Sequence, residues 1–63
     1  MPSIKVREAI RIVEQDGWFQ VRISGDHRIF HHPVKRGSVT IPGRLGGDLD
    51  AWLWSSIRRQ AQM

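Results

Sequence analysis

Residues 17–33, GWFQVRISGDHRIFHHP, carry the clearest secondary-structure pattern of the chain. After Gly17, apolar residues alternate with polar ones, which predicts a β-strand whose buried face consists of Phe19, Val21 and Ile23. Ser24-Gly25-Asp26 supplies turn residues, and residues 27–32 predict a second strand that Pro33 ends. The stretch therefore predicts an antiparallel hairpin, with His27 and Phe30 on opposite faces of the second strand.

A first helix is predicted before this hairpin, from Lys5 to Asp16. Its apolar residues recur at a spacing of three to four, as on one face of a helix. They are Val6, Ala9, Ile10 and Val13. We expect Ser3 to cap the start of the helix and Gly17 to end it.

The chain after the hairpin predicts one more strand and a second helix. A basic turn at 35–37 leads into a strand at 38–41, and the glycine-rich segment 42–47 should leave the sheet and stay mobile. Asp48 should then cap a second helix. The apolar stripe of this helix consists of Leu49, Leu53 and Ile57, and Trp52 and Trp54 flank the stripe. The predicted class is α+β, in the order α-β-β-β-α, with both helices on one face of a three-stranded antiparallel sheet.

Composition restricts the possible functions. With 63 residues the chain is expected to be one domain, 1–63, with a thin core. The absence of cysteine excludes disulfides, thiolate zinc sites and a cysteine nucleophile, and it favours a cytoplasmic location. No apolar run approaches the roughly 20 residues that span a bilayer, so no membrane association is expected. The net charge of +4 predicts a polyanionic partner such as RNA.

The histidines at 27, 31 and 32 could bind a metal or transfer protons. In a strand that rises about 3.3 Å per residue, His27 and His31 share a face but stand roughly 13 Å apart, too far to bind one zinc ion. Proton transfer fits better, because a histidine can act as general base and acid at neutral pH. RNA carries its own 2′-hydroxyl nucleophile, so its cleavage needs neither a metal nor a cofactor. His27 is the candidate catalytic residue.

Basic and aromatic side chains supply the candidate binding residues. Because guanidinium and ammonium groups bind phosphate, we expect RNA contacts from Arg22, Arg28, Lys35 and Arg36. Three tryptophans are more than so thin a core should bury, so Trp52 is the candidate for binding a partner.

The chain resembles the HicA family of toxin ribonucleases over nearly its whole length. The resemblance rests on the segments VREAI (6–10), GW (17–18), GDHRIFHHP (25–33), VTIP (39–42) and SIRRQA (56–61). It implies a fold similar to double-stranded-RNA-binding domains and a toxin endoribonuclease that cleaves messenger RNA and inhibits translation. It also implies a HicB-type antitoxin partner, with His27 at the catalytic position.

Four positions differ from the usual family pattern. Asp26 replaces a serine before the histidine, and Gly43-Arg44 replaces a histidine after the third strand. Trp52 and Gln62 stand where glycine is common. Two other functions are open on the sequence: a noncatalytic RNA-binding module, whose binding would fall with salt and survive loss of His27, and a protein-interaction adaptor that depends on Trp52.

Overall fold

A computed structural model describes residues 3–63 of the chain. Two helices of ten residues each lie within this range, α1 (Val6–Gln15) and α2 (Ala51–Gln60). The strands of the same range are β1 (Ile4–Lys5), β2 (Phe19–Ser24), β3 (His27–His31), β4 (Val39–Ile41) and β5 (Asp48–Leu49).

The main sheet is three-stranded and antiparallel, in the order β2-β3-β4. Phe30 pairs with Val39, and both side chains are buried against the two helices. The core combines one face of the sheet with one face of each helix. It comprises Val6, Ala9, Val13, Trp18, Phe30, Val39, Ile41, Leu49, Ile57 and Ala61. This arrangement confirms the predicted α+β class and the order helix, three strands, helix.

Strand β2 does not have the buried face that alternation predicted. Gln20 pairs with Phe30 while Arg22 pairs with Ile29, so the register shifts at Val21 and the strand contains a β-bulge. The extra residue places Phe19 and Ile23 on opposite faces, because directly paired residues share a face. Phe19 is 49% exposed and Ile23 is 52% exposed, since β2 is an edge strand and the helices pack over β4. The prediction of a buried β2 face was wrong.

The start of α1 is capped by backbone from a distant loop. The N-cap residue is Lys5, whose side chain makes no capping bond, so the predicted Ser3 cap was wrong. The carbonyls of Gly47 and Leu45 accept instead from the N–H groups of Val6 and Arg7, at 3.0 and 3.3 Å. Segment 43–47 is therefore fixed to α1, in contrast to the mobile connector that its glycines predicted.

One strand precedes each helix, and the two strands pair to form a two-stranded ribbon. Strand β1 pairs antiparallel with β5, and Lys5 forms an ion pair with Asp48 at 3.0 Å. Asp48 therefore does not cap α2, as had been predicted. Asp50 is the cap, and its carboxylate accepts from the N–H of Leu53 at 2.8 Å. Leu49 lies in the ribbon, buried, rather than on the predicted helical stripe.

The end of α1 agrees with the prediction that Gly17 stops the helix. Gly17 has a φ of +106°. Its N–H donates to the carbonyl of Glu14 and the N–H of Trp18 donates to the carbonyl of Val13, which is the hydrogen-bond pattern of a Schellman cap. The cap turns the Trp18 ring into the core, where it is 2% exposed. Trp18 thus fills the space that Phe19, Val21 and Ile23 were expected to fill.

Candidate active site at the turn between β2 and β3

His27 is the first residue of β3 and follows a two-residue turn. Ser24 pairs with His27, and between them Gly25 has a φ of +59°, as at the first central position of a type II′ turn. Glycine takes this conformation without steric cost. The tight turn holds His27 at the end of the sheet, on the face opposite the buried Phe30.

The His27 imidazole lies beside a carboxylate. Its Nδ1 is 3.0 Å from Oδ1 of Asp26, and both side chains are more than half exposed. A carboxylate at this nitrogen favours a proton on Nδ1, which leaves Nε2 as the nitrogen that can take a proton from a substrate.

Arg22 shares the open face of the sheet with His27. It pairs with Ile29, two residues along β3, so it stands diagonally across from His27. Diagonal neighbours on adjacent strands are roughly 7–8 Å apart, a distance that a phosphodiester group can bridge. The structure therefore brings Arg22 and His27 together.

Arg28 points to the other face and holds a loop. Its Nη1 donates to the carbonyl of Gly43 at 2.9 Å, and it pairs in register with Ile41 of β4. The guanidinium thus ties β3 to the segment that follows β4. Although Arg28 is adjacent to His27 in sequence, it does not lie on the same surface.

Lys35 and Arg36 lie at the opposite end of the sheet. They belong to the connection from β3 to β4, and the five residues of β3 separate them from His27 by roughly 13 Å or more. The Lys35 ammonium donates to Asp16 at 2.6 Å and to the carbonyl of Ala61 at 3.2 Å. This hydrogen bond from Lys35 is the main cause that lowers the pKa of Asp16. Arg36 is exposed, but it is not part of the His27 site.

The other two histidines differ from His27. His32 has both ring nitrogens occupied: Nε2 is 2.7 Å from the carbonyl of Asp16, and Nδ1 accepts from the N–H groups of Val34 and Lys35. His31 is exposed and faces the same side as His27, at the far end of β3. Within residues 3–63, no group of three or more histidine or carboxylate side chains could hold a metal ion.

A cleft adjoins the turn that carries His27. It has a volume of about 540 Å³ and is lined by Asp26, Gly43, Arg44, Gly46 and Gly47. The sequence predicts this glycine-rich segment only as a connector, and it marks Arg44 as a departure from the family pattern without assigning it a role. The available signal was a lone charged residue among chain-breaking residues.

The three tryptophans have different surroundings. Trp18 is buried, and Trp54 packs against the core with the Arg58 guanidinium 5.8 Å from its ring centroid. Trp52 is 78% exposed in the first turn of α2, followed by Leu53, which is 39% exposed. The structure leaves the Trp52 ring accessible to a partner.

The fold and the site define a small basic α+β protein, with an exposed histidine at a hairpin turn and a cleft beside it. A family model described as "HicA toxin of bacterial toxin-antitoxin" matches residues 6–63, and the chain belongs to this family. A toxin of this kind implies an antitoxin partner. No curated protein matches the chain. Within residues 3–63, neither helix is long and apolar enough to cross a membrane.

Proposed function

We propose that this toxin is an endoribonuclease that cleaves messenger RNA without a metal ion and thereby inhibits translation. The observation that carries the proposal is the exposed His27 imidazole, with Asp26 at Nδ1 and Arg22 diagonally across the same face. This arrangement offers a base, a group that orients it and a cation for the phosphate.

The proposed reaction uses the 2′-hydroxyl of RNA as nucleophile. Nε2 of His27 removes the hydroxyl proton, and the 2′-oxygen attacks the adjacent phosphorus. The bond from phosphorus to the 5′-oxygen breaks, and that oxygen leaves with a proton from water. The products are a 2′,3′-cyclic phosphate and a 5′-hydroxyl. Arg22 stabilises the negative charge that grows on the phosphorane oxygens.

The predicted RNA contacts take different parts in this proposal. Arg22 acts at the scissile phosphate, and Arg36 contacts the strand some nucleotides away because it lies at the other end of the sheet. Arg28 and Lys35 are bound to protein carbonyls and to Asp16, so they support RNA binding by holding the loops in place.

The test is cleavage of a labelled single-stranded RNA in excess chelator. We expect His27→Ala to slow cleavage by about 10²-fold or more, because general acid–base catalysis typically contributes that much. His31→Ala is the matched control, an exposed histidine on the same face at the far end of β3, and it should cleave at the parent rate.

A second substrate separates cleavage from binding. RNA with a 2′-deoxy residue at the cut position should bind but resist cleavage, since it lacks the nucleophile. If the folded parent and the folded His27→Ala variant both bind RNA and neither cuts it, the protein is a noncatalytic RNA-binding module instead. If His27→Ala cuts like the parent, His27 is not the base.

We further propose that the antitoxin is of the HicB type and that Trp52 contributes to its binding. The support is the exposed indole at the start of α2. A tryptophan that becomes buried when a partner binds is frequently a binding hot spot. Trp52→Ala should weaken binding to a HicB-type antitoxin by about 30-fold. The control is Val34→Ala, an exposed apolar residue of the connection between β3 and β4.

A further inference from the structure

We propose that the cleft beside His27 binds the RNA nucleotide next to the scissile phosphate, with Arg44 contacting the phosphate of that nucleotide. This inference rests on the proposed ribonuclease function and adds the path of the substrate to it. The cleft lies between the β2–β3 turn and segment 43–47, and Asp26 forms part of both the cleft and the His27 pair.

The position of the cleft follows from the sheet register. Ile41, the last residue of β4, pairs with Arg28, so the segment after β4 leaves the sheet beside the start of β3. An RNA strand whose scissile phosphate lies at His27 reaches this segment by passing the β2–β3 turn, where Asp26 lines the cleft. The volume of about 540 Å³ is in the range of small-ligand pockets.

The walls of the cleft are fixed before any ligand binds. Gly43 is held by Arg28, and Gly47 donates to the carbonyl of Arg44 at 2.9 Å. The carbonyls of Leu45 and Gly47 are bound to the start of α1. A preformed site loses little conformational freedom when it binds a ligand.

Gly46 is a glycine that the fold does not require. A Cβ at Gly47 would lie 3.2 Å from the Arg44 carbonyl, closer than an ordinary contact, and Gly43 has a φ of +95°, so a side chain at either position would strain the loop itself. At Gly46 the nearest atom to a Cβ would be the end of the Arg7 side chain, at 3.7 Å. The absence of a side chain there keeps the cleft open, which suits the close approach of a planar base.

The charge of the cleft suits a phosphate. Arg44 is exposed, and its guanidinium makes no hydrogen bond or ion pair with other side chains within residues 3–63. The Arg7 guanidinium lies close to Gly46 and adds a second positive charge at the rim. The one carboxylate that lines the cleft, Asp26, lies beside His27.

The experiment measures binding of a 2′-O-methyl RNA oligonucleotide, which cannot be cleaved, by fluorescence anisotropy over a range of salt concentrations. Arg44→Ala should weaken binding by about five- to tenfold and reduce the slope of log K against log salt by about 0.7, the value for one phosphate contact on a single strand. Arg59→Ala removes the same charge from the exposed last turn of α2 and should change affinity less than twofold.

Gly46→Leu tests the cleft itself. It should weaken binding at least as much as Arg44→Ala, with an unchanged thermal unfolding curve. The amide signals of Gly43, Gly46 and Gly47 should shift in NMR spectra when the oligonucleotide is added to the parent. Gly46→Ser is the second variant, should the leucine disturb the loop, and it should weaken binding to a smaller extent.

The outcomes separate this inference from the proposed function. If Arg44→Ala and Arg59→Ala weaken binding equally, net charge alone attracts RNA and the cleft proposal fails, even where the parent cleaves RNA. If the parent does not cleave RNA but Arg44→Ala and Gly46→Leu lose binding, the cleft proposal stands and catalysis fails. A parent that binds no RNA overturns both.

Discussion

His27 and His32 stand five residues apart, and each lies near an aspartate, yet their surroundings are opposite. His32 is partly buried, and three backbone groups occupy its two nitrogens. His27 is more than half exposed, with one nitrogen beside Asp26. Where both nitrogens are bound to backbone, the ring supports the fold. Where one nitrogen is accessible, the ring can act on a substrate.

The region around His32 links three parts of the chain. Nε2 donates to Asp16 at the end of α1, and Nδ1 fixes the connection from β3 to β4. The Trp18 ring packs edge-on against the imidazole, with centroids 5.1 Å apart. Lys35 then joins Asp16 to the end of α2. By contrast, the His27 side chain has one ion pair within residues 3–63, with Asp26 in the same turn.

The largest effect on stability is expected for His32→Ala. The change removes three hydrogen bonds and the contact with Trp18, which should cost roughly 2–4 kcal/mol in the free energy of unfolding. His27→Ala should change the same quantity by no more than about 0.5 kcal/mol, since surface substitutions rarely do more. Urea unfolding followed by circular dichroism measures both. Equal losses for the two variants would contradict the comparison.

Gly17→Ala should destabilise by roughly 2–3 kcal/mol. The φ of +106° is unfavourable for any L-residue, and the new Cβ would lie 2.7 Å from Nε2 of His32. Gly25→Ala, at the turn before His27, also has a positive φ but meets no atom within 4 Å, so it should cost about 1 kcal/mol. The same unfolding measurement compares the two, and a larger loss at Gly25 would refute the packing argument.

Lys35→Met should change how stability depends on pH. In the parent, the Lys35 ammonium lowers the pKa of Asp16, so the stabilisation from this pair is present above the ordinary carboxyl pKa and is lost as the pH falls through the lowered one. The variant lacks this contribution throughout. The stability difference between parent and variant should therefore be constant near neutral pH and shrink below about pH 4. A difference that grows in acid would contradict the assignment.

The smallest effect is expected for Gln62→Gly, at the end of α2. Gln62 has a φ of +58°, a conformation that glycine adopts without steric cost. Glycine should relieve the strain by about 1 kcal/mol but lose the bond from the Gln62 amide to the carbonyl of Arg36, worth about the same. The midpoint of urea unfolding should hardly move. Gln62→Ala keeps the strain and loses the bond, so it should be less stable than the parent.

The sequence predicted which helices and strands form better than it predicted their buried faces, caps and pairing. Helical spacing and the turn at Gly25 identified both helices and the three main strands. The prediction of the buried face of β2 was wrong because a bulge at Val21 interrupts the alternation of inward and outward side chains. No residue type in this strand marks the bulge. The β1–β5 ribbon escaped notice because two residues have no periodicity. Asp48 and Asp50 are equally good caps by type, and only the ribbon decides between them.

The candidate site was predictable in part. The position of His27 after a tight turn, and the resemblance to the HicA family, were readable from residues 25–33. The roles of Arg28 and Lys35 were not, because their partners, Gly43 and Asp16, are 15 and 19 residues away. Arg44 was missed for the same reason, since the cleft forms only when the loop folds against α1.

We propose that His27 acts on RNA while His32 supports the fold. The single-turnover rate of RNA cleavage per folded molecule, measured in chelator for His27→Ala and His32→Ala, separates these two roles. His27→Ala should be as stable as the parent and slower by about 10²-fold or more, and His32→Ala should be unstable but cleave at the parent rate where folded. A folded His32→Ala that does not cleave, beside a His27→Ala that does, would overturn this assignment of roles.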